Sequence, residues 1–433
     1  MPHPYRSLKA TAYSPPRDFH VGVTGRLHSP CERIKRFRAV LHYRQPRRKE
    51  AIVKIREIKT YLVHAGPPHG QAIWTRRNWL FTKVLTDEGL YGVGEASGWP
   101  RVVETAIQDL APILVGEDPM NIERLWQKML LGMMGHGMTG VVGAGAMTGI
   151  DIALWDLKGK ALGVPVWQLL GGKLRDSIRM YAHAHSPERA RVLVDRGYTA
   201  LKTGGLERPV RTVDSIRKEV GDAVDLMIDI HGPPWLTTRD AIRLGKALEP
   251  YNLLFYEDPV APEDVEALAR VAEGVDIPIA AGERHSTIWG LRELIEREII
   301  DVAQPDTGRA GGLNQMKKIA AMAEAHYILM APHDGSLGPV GEMAALHLDA
   351  TLPNFLIQER LEDDVSQRYE VMQPQPKVVD SHIAVPDAPG LGVDIVEEAI
   401  AKYPSVGNIS PPDPKEEYVY FRAREQRARW LSV

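Results

Sequence analysis

The sequence predicts an α/β protein: a (β/α)8 barrel preceded by a small α+β domain. Three observations carry that reading. Short apolar runs recur between Ile178 and Gln358, and most are followed by a segment with helical patterning. The runs end in Lys202, Asp229, Glu257, Glu283, Asp306, His333 and Glu359, at steps of 27, 28, 26, 23, 27 and 26 residues. One βα unit needs about that much chain, and eight such units close a barrel whose chemistry lies at the C-terminal strand ends. Before these units the pattern differs, with strands first and helices after them.

Residues 1–50 read as a basic N-terminal extension, with twelve Lys or Arg against three acids. A solvated or subunit-contacting arm is the expectation for it. Residues 51–145 read as the α+β domain. Ile52 to Val63, Leu80 to Leu85 and Tyr91 to Glu95 are its strands, with Thr86-Asp87-Glu88-Gly89 as a turn. Helical patterns cover about 101–115 and 121–131, and Asp118-Pro119 predicts the start of the second. Two connections look like lids: Ala65 to Trp79, and Gly132 to Gly145 with six glycines in fourteen residues. Glycine this dense opposes stable helix and permits movement. Trp74 and Arg76 on the first and His136 on the second are candidate substrate contacts.

Residues 146–370 form the predicted barrel, opening on a helix at 146–160. Its strands are Ile178–His185, Ala200–Lys202, Leu226–His231, Leu253–Glu257, Ile277–Glu283, Ile299–Gln304, Tyr327–Ala331 and Phe355–Gln358. Residues 371–433 become proline-rich, with a polar helix near 396–402, and read as a return across the surface and a tail.

Asp229, Glu257 and Glu283 end consecutive strands, so their side chains converge. Three ionised carboxylates that close repel one another, and with little basic nearby except Arg284 a hard divalent cation is the natural neutraliser. All-oxygen ligation favours Mg²⁺ over zinc. His231 lies two residues after Asp229 and faces the same side if the strand continues. Asp306 and His333 end neighbouring strands, so Asp306 is placed to hold one ring nitrogen and leave the other basic. Such a set suits abstraction of the proton next to a carboxylate. Glu359 is placed to hydrogen-bond to the enolate if protonated or to position substrate if ionised, and Lys202 to meet the carboxylate from the other side. His231 is the best candidate for the acid that helps a β-hydroxyl leave. His183, His185 and Arg284 are further candidate substrate contacts.

These motifs resemble the enolase superfamily, and within it the mandelate racemase subgroup, from about residue 52 to 400. The resemblance rests on Asp229-Ile230-His231-Gly232, Tyr256-Glu257-Asp258-Pro259, Ala281-Gly282-Glu283-Arg284, Gln304-Pro305-Asp306 with Gly311-Gly312, and Ala331-Pro332-His333 with Leu337-Gly338-Pro339. It implies a modified TIM barrel with a capping domain, Mg²⁺ on the third to fifth strands, and Asp306 with His333 as the base dyad. The histidine at His231 looks like that of galactonate dehydratases, and Glu359 matches the carboxylate that contacts the intermediate. One departure is informative. Racemases of the subgroup end the second strand in Lys-X-Lys, whereas Lys202-Thr203-Gly204 lacks the second lysine.

The expected function is dehydration of a sugar acid, an aldonate, to a 2-keto-3-deoxy acid. The alternatives are an epimerase, racemase or cycloisomerase using the same enolate, and a non-catalytic barrel protein. A net charge of -3 gives no reason to expect nucleic acid or a charged membrane as partner. The one cysteine, Cys31, allows no disulfide within the chain. With no apolar secretory core near the N-terminus and no run of membrane length, cytoplasm is the expected compartment. A homo-oligomer, dimer-based up to octamer, is expected.

Overall fold

The computed structural model describes residues 53–66, 77–133, 140–232, 235–335 and 337–407, all within one compact unit, Val53–Val433. The basic extension, Trp74, Arg76, His136 and the tail after residue 407 lie outside the described residues. Among the described residues no helix is long and apolar enough to cross a membrane.

The α+β part is a three-stranded antiparallel meander: β1 (Ile55–His64), β2 (Asn78–Thr86) and β3 (Tyr91–Ala96). Helices α1 (Pro100–Leu114) and α2 (Ile122–Gly132) follow, and each buries one apolar stripe. Val103, Ile107, Leu110 and Leu114 form the stripe of α1, at the spacing of a single helix face. The second helix starts later than Asp118-Pro119 predicts. Asp118 instead accepts the Met120 N–H and the Asn121 side-chain amide, both at 2.9 Å. That local turn competes with a helical first turn.

The next helix, α3 (Val141–Leu162), corrects a second expectation, because it begins inside the glycine-rich stretch. Packing overrides propensity there. A Cβ at Gly145 would lie 2.7 Å from the Ser97 carbonyl oxygen, so only glycine lets the helix approach β3 this closely. The helix is buried on nearly every side, between the meander and the barrel.

Eight parallel strands follow: β4 (Ser177–His183), β5 (Ala200–Gly204), β6 (Asp225–Asp229), β7 (Phe255–Glu257), β8 (Ile279–Ala281), β9 (Val302–Ala303), β10 (Leu329–Met330) and β11 (Gln358–Glu359). Neighbours in sequence pair from β4 to β10, Met330 bridges Phe355 just before β11, and β11 pairs with β4. The ring therefore closes. Its helices are α4 (Pro187–Asp195), α5 (Pro209–Val220), α6 (Thr238–Leu248), α7 (Val265–Gly274), α8 (Thr287–Glu296), α9 (Leu313–Ala325) and α10 (Pro339–Asp349).

One apolar residue from each of the eight strand segments plugs the barrel, with Tyr181, Met227, Phe255 and Ile357 the largest. Side chains alternate along a strand, so positions two residues further on point the same way. Those positions are His183, Lys202, Asp229, Glu257, Gly282, Gln304, His333 and Glu359. Strand periodicity thus lays a polar layer one pleat above the plug.

After β11 the chain does more than return. Strand His382–Ala384 pairs antiparallel with Ser177–Arg179 of β4. Further on, Tyr403 accepts the His64 N–H at 3.0 Å and Pro404 bridges Val63. Behind the mouth, Glu342 of α10 accepts hydrogen bonds from Arg360 and, at 2.6 Å, from Arg368, and all three are buried. Burial pushes the Glu342 carboxyl up, but the two guanidiniums win and bring it down to about 2.

Breaking one partner of a buried ion cluster leaves charge uncompensated. We therefore expect Glu342→Leu to lose about 3–5 kcal/mol of unfolding free energy in urea titrations. The depressed pKa sets the pH window. The Glu342 contribution is complete above its ordinary value of 4.5 and is lost as pH falls toward about 2. The variant should show a flatter acid limb than the parent, and equal acid limbs would contradict the cluster's role.

Candidate active site

The polar layer opens into a cavity of about 700 Å³ at the C-terminal strand ends. His183, His185, Lys202, Asp229, His231, Glu283, Arg284, His333 and Glu359 line it, so the predicted residues that are described meet there, with Glu257 and Asp306 just beneath.

His333 and Asp306 form the tightest pair. The ring Nδ1 lies 2.7 Å from Asp306 Oδ2. Asp306 is fully buried, and its other oxygen accepts from Ser97 Oγ and from Gly308 N, each at 2.8 Å. The free nitrogen of His333, Nε2, faces Glu359 at 3.5 Å and Glu283 at 3.6 Å. Burial alone would lower the pKa of this ring, but Glu283, Glu359 and Asp306 pull it up to about 9.

Across the ring, His231 Nδ1 lies 2.7 Å from Asp229 Oδ1, which also accepts the His231 backbone N–H at 3.1 Å. The hydrogen bond to Asp229 raises the His231 pKa. β6 and β10 are four places apart in a ring of eight, so the two histidines approach the cavity from opposite walls.

Lys202 is buried at the centre. Its Nζ stands 2.8 Å from Glu359, 2.9 Å from Glu257 and 3.9 Å from Asp229. Burial opposes its charge, yet the surrounding carboxylates raise its pKa well above the ordinary lysine value. Glu359 also accepts from the Asp334 N–H and contacts His183 Nε2, both at 2.8 Å. Burial pushes Glu359 up, but Lys202, His333 and His183 hold it ionised. His185, whose ring centre lies 6.2 Å from that of His183, has its pKa lowered by burial and by that neighbour.

The basic neighbours of the acids are more numerous than Arg284 alone. Arg309, on the loop after β9, donates to Glu283 Oε1 at 2.9 Å and to the Glu283 carbonyl at 3.1 Å. Arg284 binds Asp258 and reaches Glu283 Oε2 at 3.2 Å. Its guanidinium carbon stands 5.3 Å from the Trp235 ring centre. Arg309 and Ser97 were not legible as site residues: Arg309 sits within the Gln304-to-Gly312 motif but off its strand end, Ser97 lies in the α+β part, and each reaches the site only through the fold. Arg77, on the cavity wall, was visible only as part of a lid segment.

The expected metal cluster is not assembled as it stands. Among the described residues no group of three or more His, Cys, Asp or Glu is arranged to hold a metal ion. The oxygens of the expected ligands are engaged by other groups: Asp229 by His231, Glu257 by Lys202, and Glu283 by Arg309 and Arg284. The donor set nevertheless fits a hard cation. Asp229 and Glu257 are paired in register on β6 and β7, and Glu283 follows β8. Glu257 Oε1 is buried with no hydrogen-bond partner among the described residues. Burial and the nearby Asp229 raise Glu257 to about 8, while burial's upward push on Glu283 is outweighed by His333 and Arg309, which bring it to about 2. Added positive charge at these acids would also relax the pull on His333, returning its ring toward the neutral, proton-accepting form.

Comparisons with known proteins agree with this architecture. Residues 57–171 match the mandelate racemase/muconate lactonizing enzyme N-terminal domain, and residues 186–399 the enolase C-terminal domain-like family. A D-galactonate dehydratase of Ralstonia nicotianae is 38% identical over 350 residues, covering 74% of this chain and 90% of that protein. The solved 3,6-anhydro-D-galactonate cycloisomerase of Zobellia galactanivorans superposes with a TM-score of 0.74 at 33% identity, over 81% of this chain and 98% of its own. An enolase from Pantoea ananatis with bound D-gluconate and Mg superposes with a TM-score of 0.74 at 32% identity, over 83% and 96%. With its meander cap, its closed eightfold barrel and both family domains matched in order, the chain belongs to the enolase superfamily, in the mandelate racemase subgroup.

Proposed function

We propose that this protein is a magnesium-dependent dehydratase of a sugar acid, an aldonate, and that it yields a 2-keto-3-deoxy acid. The observation that carries the reading is the pair of histidines on opposite cavity walls, each fixed through Nδ1 by its own aspartate. The named activity of the Ralstonia relative and the gluconate bound in the Pantoea structure support the substrate class. Asp229, Glu257 and Glu283 would hold Mg²⁺, which supplies positive charge to offset the charge that develops on the substrate carboxylate.

This chain's residues then divide the work. His333 Nε2 takes the proton from carbon 2, since Asp306 fixes the tautomer that leaves this nitrogen with its lone pair. The electrons of that C–H bond move toward the carboxylate. Lys202 keeps Glu359 ionised and in place beside His333. His231 donates a proton to the 3-hydroxyl as the C3–O bond breaks, and the resulting enol tautomerises to the ketone. Hydroxide is a poor leaving group at neutral pH, so acid assistance is worth roughly 10²–10⁴-fold. The cycloisomerase neighbour favours one second reading, in which the same abstraction ends in ring rearrangement.

Two outcomes are expected. Glu257→Gln should abolish turnover and weaken Mg²⁺ binding in calorimetry while circular dichroism stays unchanged. Full turnover in that variant after chelation would remove the metal assignment. The histidines should fail differently in NMR time courses in D₂O. His333→Asn should stop both dehydration and exchange of the carbon 2 proton. His231→Asn should stop dehydration, with turnover down roughly 10²–10⁴-fold, yet keep exchange, and a 3-fluoro substrate should partly restore elimination. Rescue of the His333 variant instead would reverse the roles. Wild-type enzyme that exchanges or cyclises across an aldonate library, and never gives a 2-keto acid, would rule out the dehydratase.

A further inference from the structure

The end of β3 touches both loops that carry the base dyad. Glu95 is fully buried and accepts the N–H groups of Gly338 and, at 2.8 Å, Gly341. Those glycines begin α10, directly after the His333 loop. Two residues on, on the same side of the chain, Ser97 holds the other loop by two bonds. Its N–H donates to the Gly308 carbonyl at 2.8 Å, and its Oγ donates to Asp306 Oδ1 at 2.8 Å. Ser97 is buried, so that bond lies largely out of water.

The approach is also too close for another residue at position 308. A Cβ there would stand 2.8 Å from Ser97 Oγ and 2.9 Å from Ser97 Cβ. Gly308 in turn donates its own N–H to the Asp306 oxygen that Ser97 binds. Both oxygens of this carboxylate are therefore engaged, one by Ser97 and Gly308 and the other by His333. A carboxylate free to rotate about its terminal bond would not hold His333 in one orientation. Two donors on Oδ1 remove that freedom.

We infer that the capping domain sets the geometry of the base, with Ser97 as a positioning residue that locks the Asp306 carboxylate and through it the His333 ring. The inference rests on the proposed role of His333 in proton abstraction. Ser97 touches no substrate-facing atom of the dyad, and it acts only through Asp306. Glu95 fixes the opposite loop, so a single strand end spaces the acid from the histidine.

The test compares Ser97→Ala and Ser97→Cys with the wild-type protein. The alanine variant removes one oxygen atom, and the cysteine variant keeps a weak donor of similar shape. The first readout needs no turnover: the low-field His333 Nδ1–H proton resonance, assigned by its loss in His333→Asn. It should shift or broaden in Ser97→Ala and change less in Ser97→Cys. The second readout is kinetic. The rate of carbon 2 exchange in D₂O, together with kcat for dehydration, should fall by up to about 10²-fold in Ser97→Ala, with KM unchanged and Ser97→Cys in between. An unchanged resonance with unchanged exchange in Ser97→Ala overturns the inference, as does a loss confined to KM. Should wild-type protein never exchange the carbon 2 proton while the resonance still responds to Ser97, the lock on Asp306 stands and the assignment of His333 as base falls.

Discussion

Crowding ionised carboxylates into a water-poor space is costly, and this barrel does so at its functional end. Asp229, Glu257, Asp306 and Glu359 are buried side by side, and Glu283 is nearly so. Several basic groups packed against them offset that cost. Lys202 spans Glu257 and Glu359 from within the ring, Arg309 and Arg284 hold Glu283 from the rim, and a histidine stands on each of Asp229 and Asp306. The balance is uneven. Glu257 stays high, Glu283 is forced low, and the His333 ring is pulled upward. Such divergence among neighbouring groups in a cavity is typical of functional sites.

The same logic extends behind the mouth. Glu342 is neutralised by two buried arginines, and Arg368 also reaches Asp364 at 3.4 Å. Asp364 lies on the cavity wall beside Arg77, so the ion cluster ties α10 to the rim of the cavity. The capping domain is joined to the barrel by specific bonds at Glu95 and Ser97 as well as by burial of α3. Cap and barrel are thus one electrostatic object, although they are two families of secondary structure.

Much of this was legible in the sequence because strands repeat every two residues and βα units every two dozen or so. Those two periods place His183, Lys202, Asp229, Glu257, His333 and Glu359 in one layer without any knowledge of the fold's detail. What escaped was whatever depends on side chains folding back across the ring. Arg309 turns from its own loop onto Glu283, 26 residues earlier. Ser97 meets Asp306 across 209 residues, and nothing near Ser97 marks it. The helix start in the glycine-rich stretch was hidden for the opposite reason. Local propensity spoke against it, and only the close approach to β3 makes glycine the required residue.

The stitching of the chain's late segment into its early strands has a consequence for how the protein comes to be made. β1 is hydrogen-bonded through His64 to Tyr403, and β4 is edged by His382–Ala384. A ribosome would have released nearly the whole barrel before either strand could find its last partner. Contacts that close loops this long are slow to form. Synthesis therefore cannot complete the cap first and the barrel afterwards. The nascent chain must keep an unfinished edge on its first barrel strand until the final stretch emerges, and during that interval its strand edges are exposed to pairing with other chains.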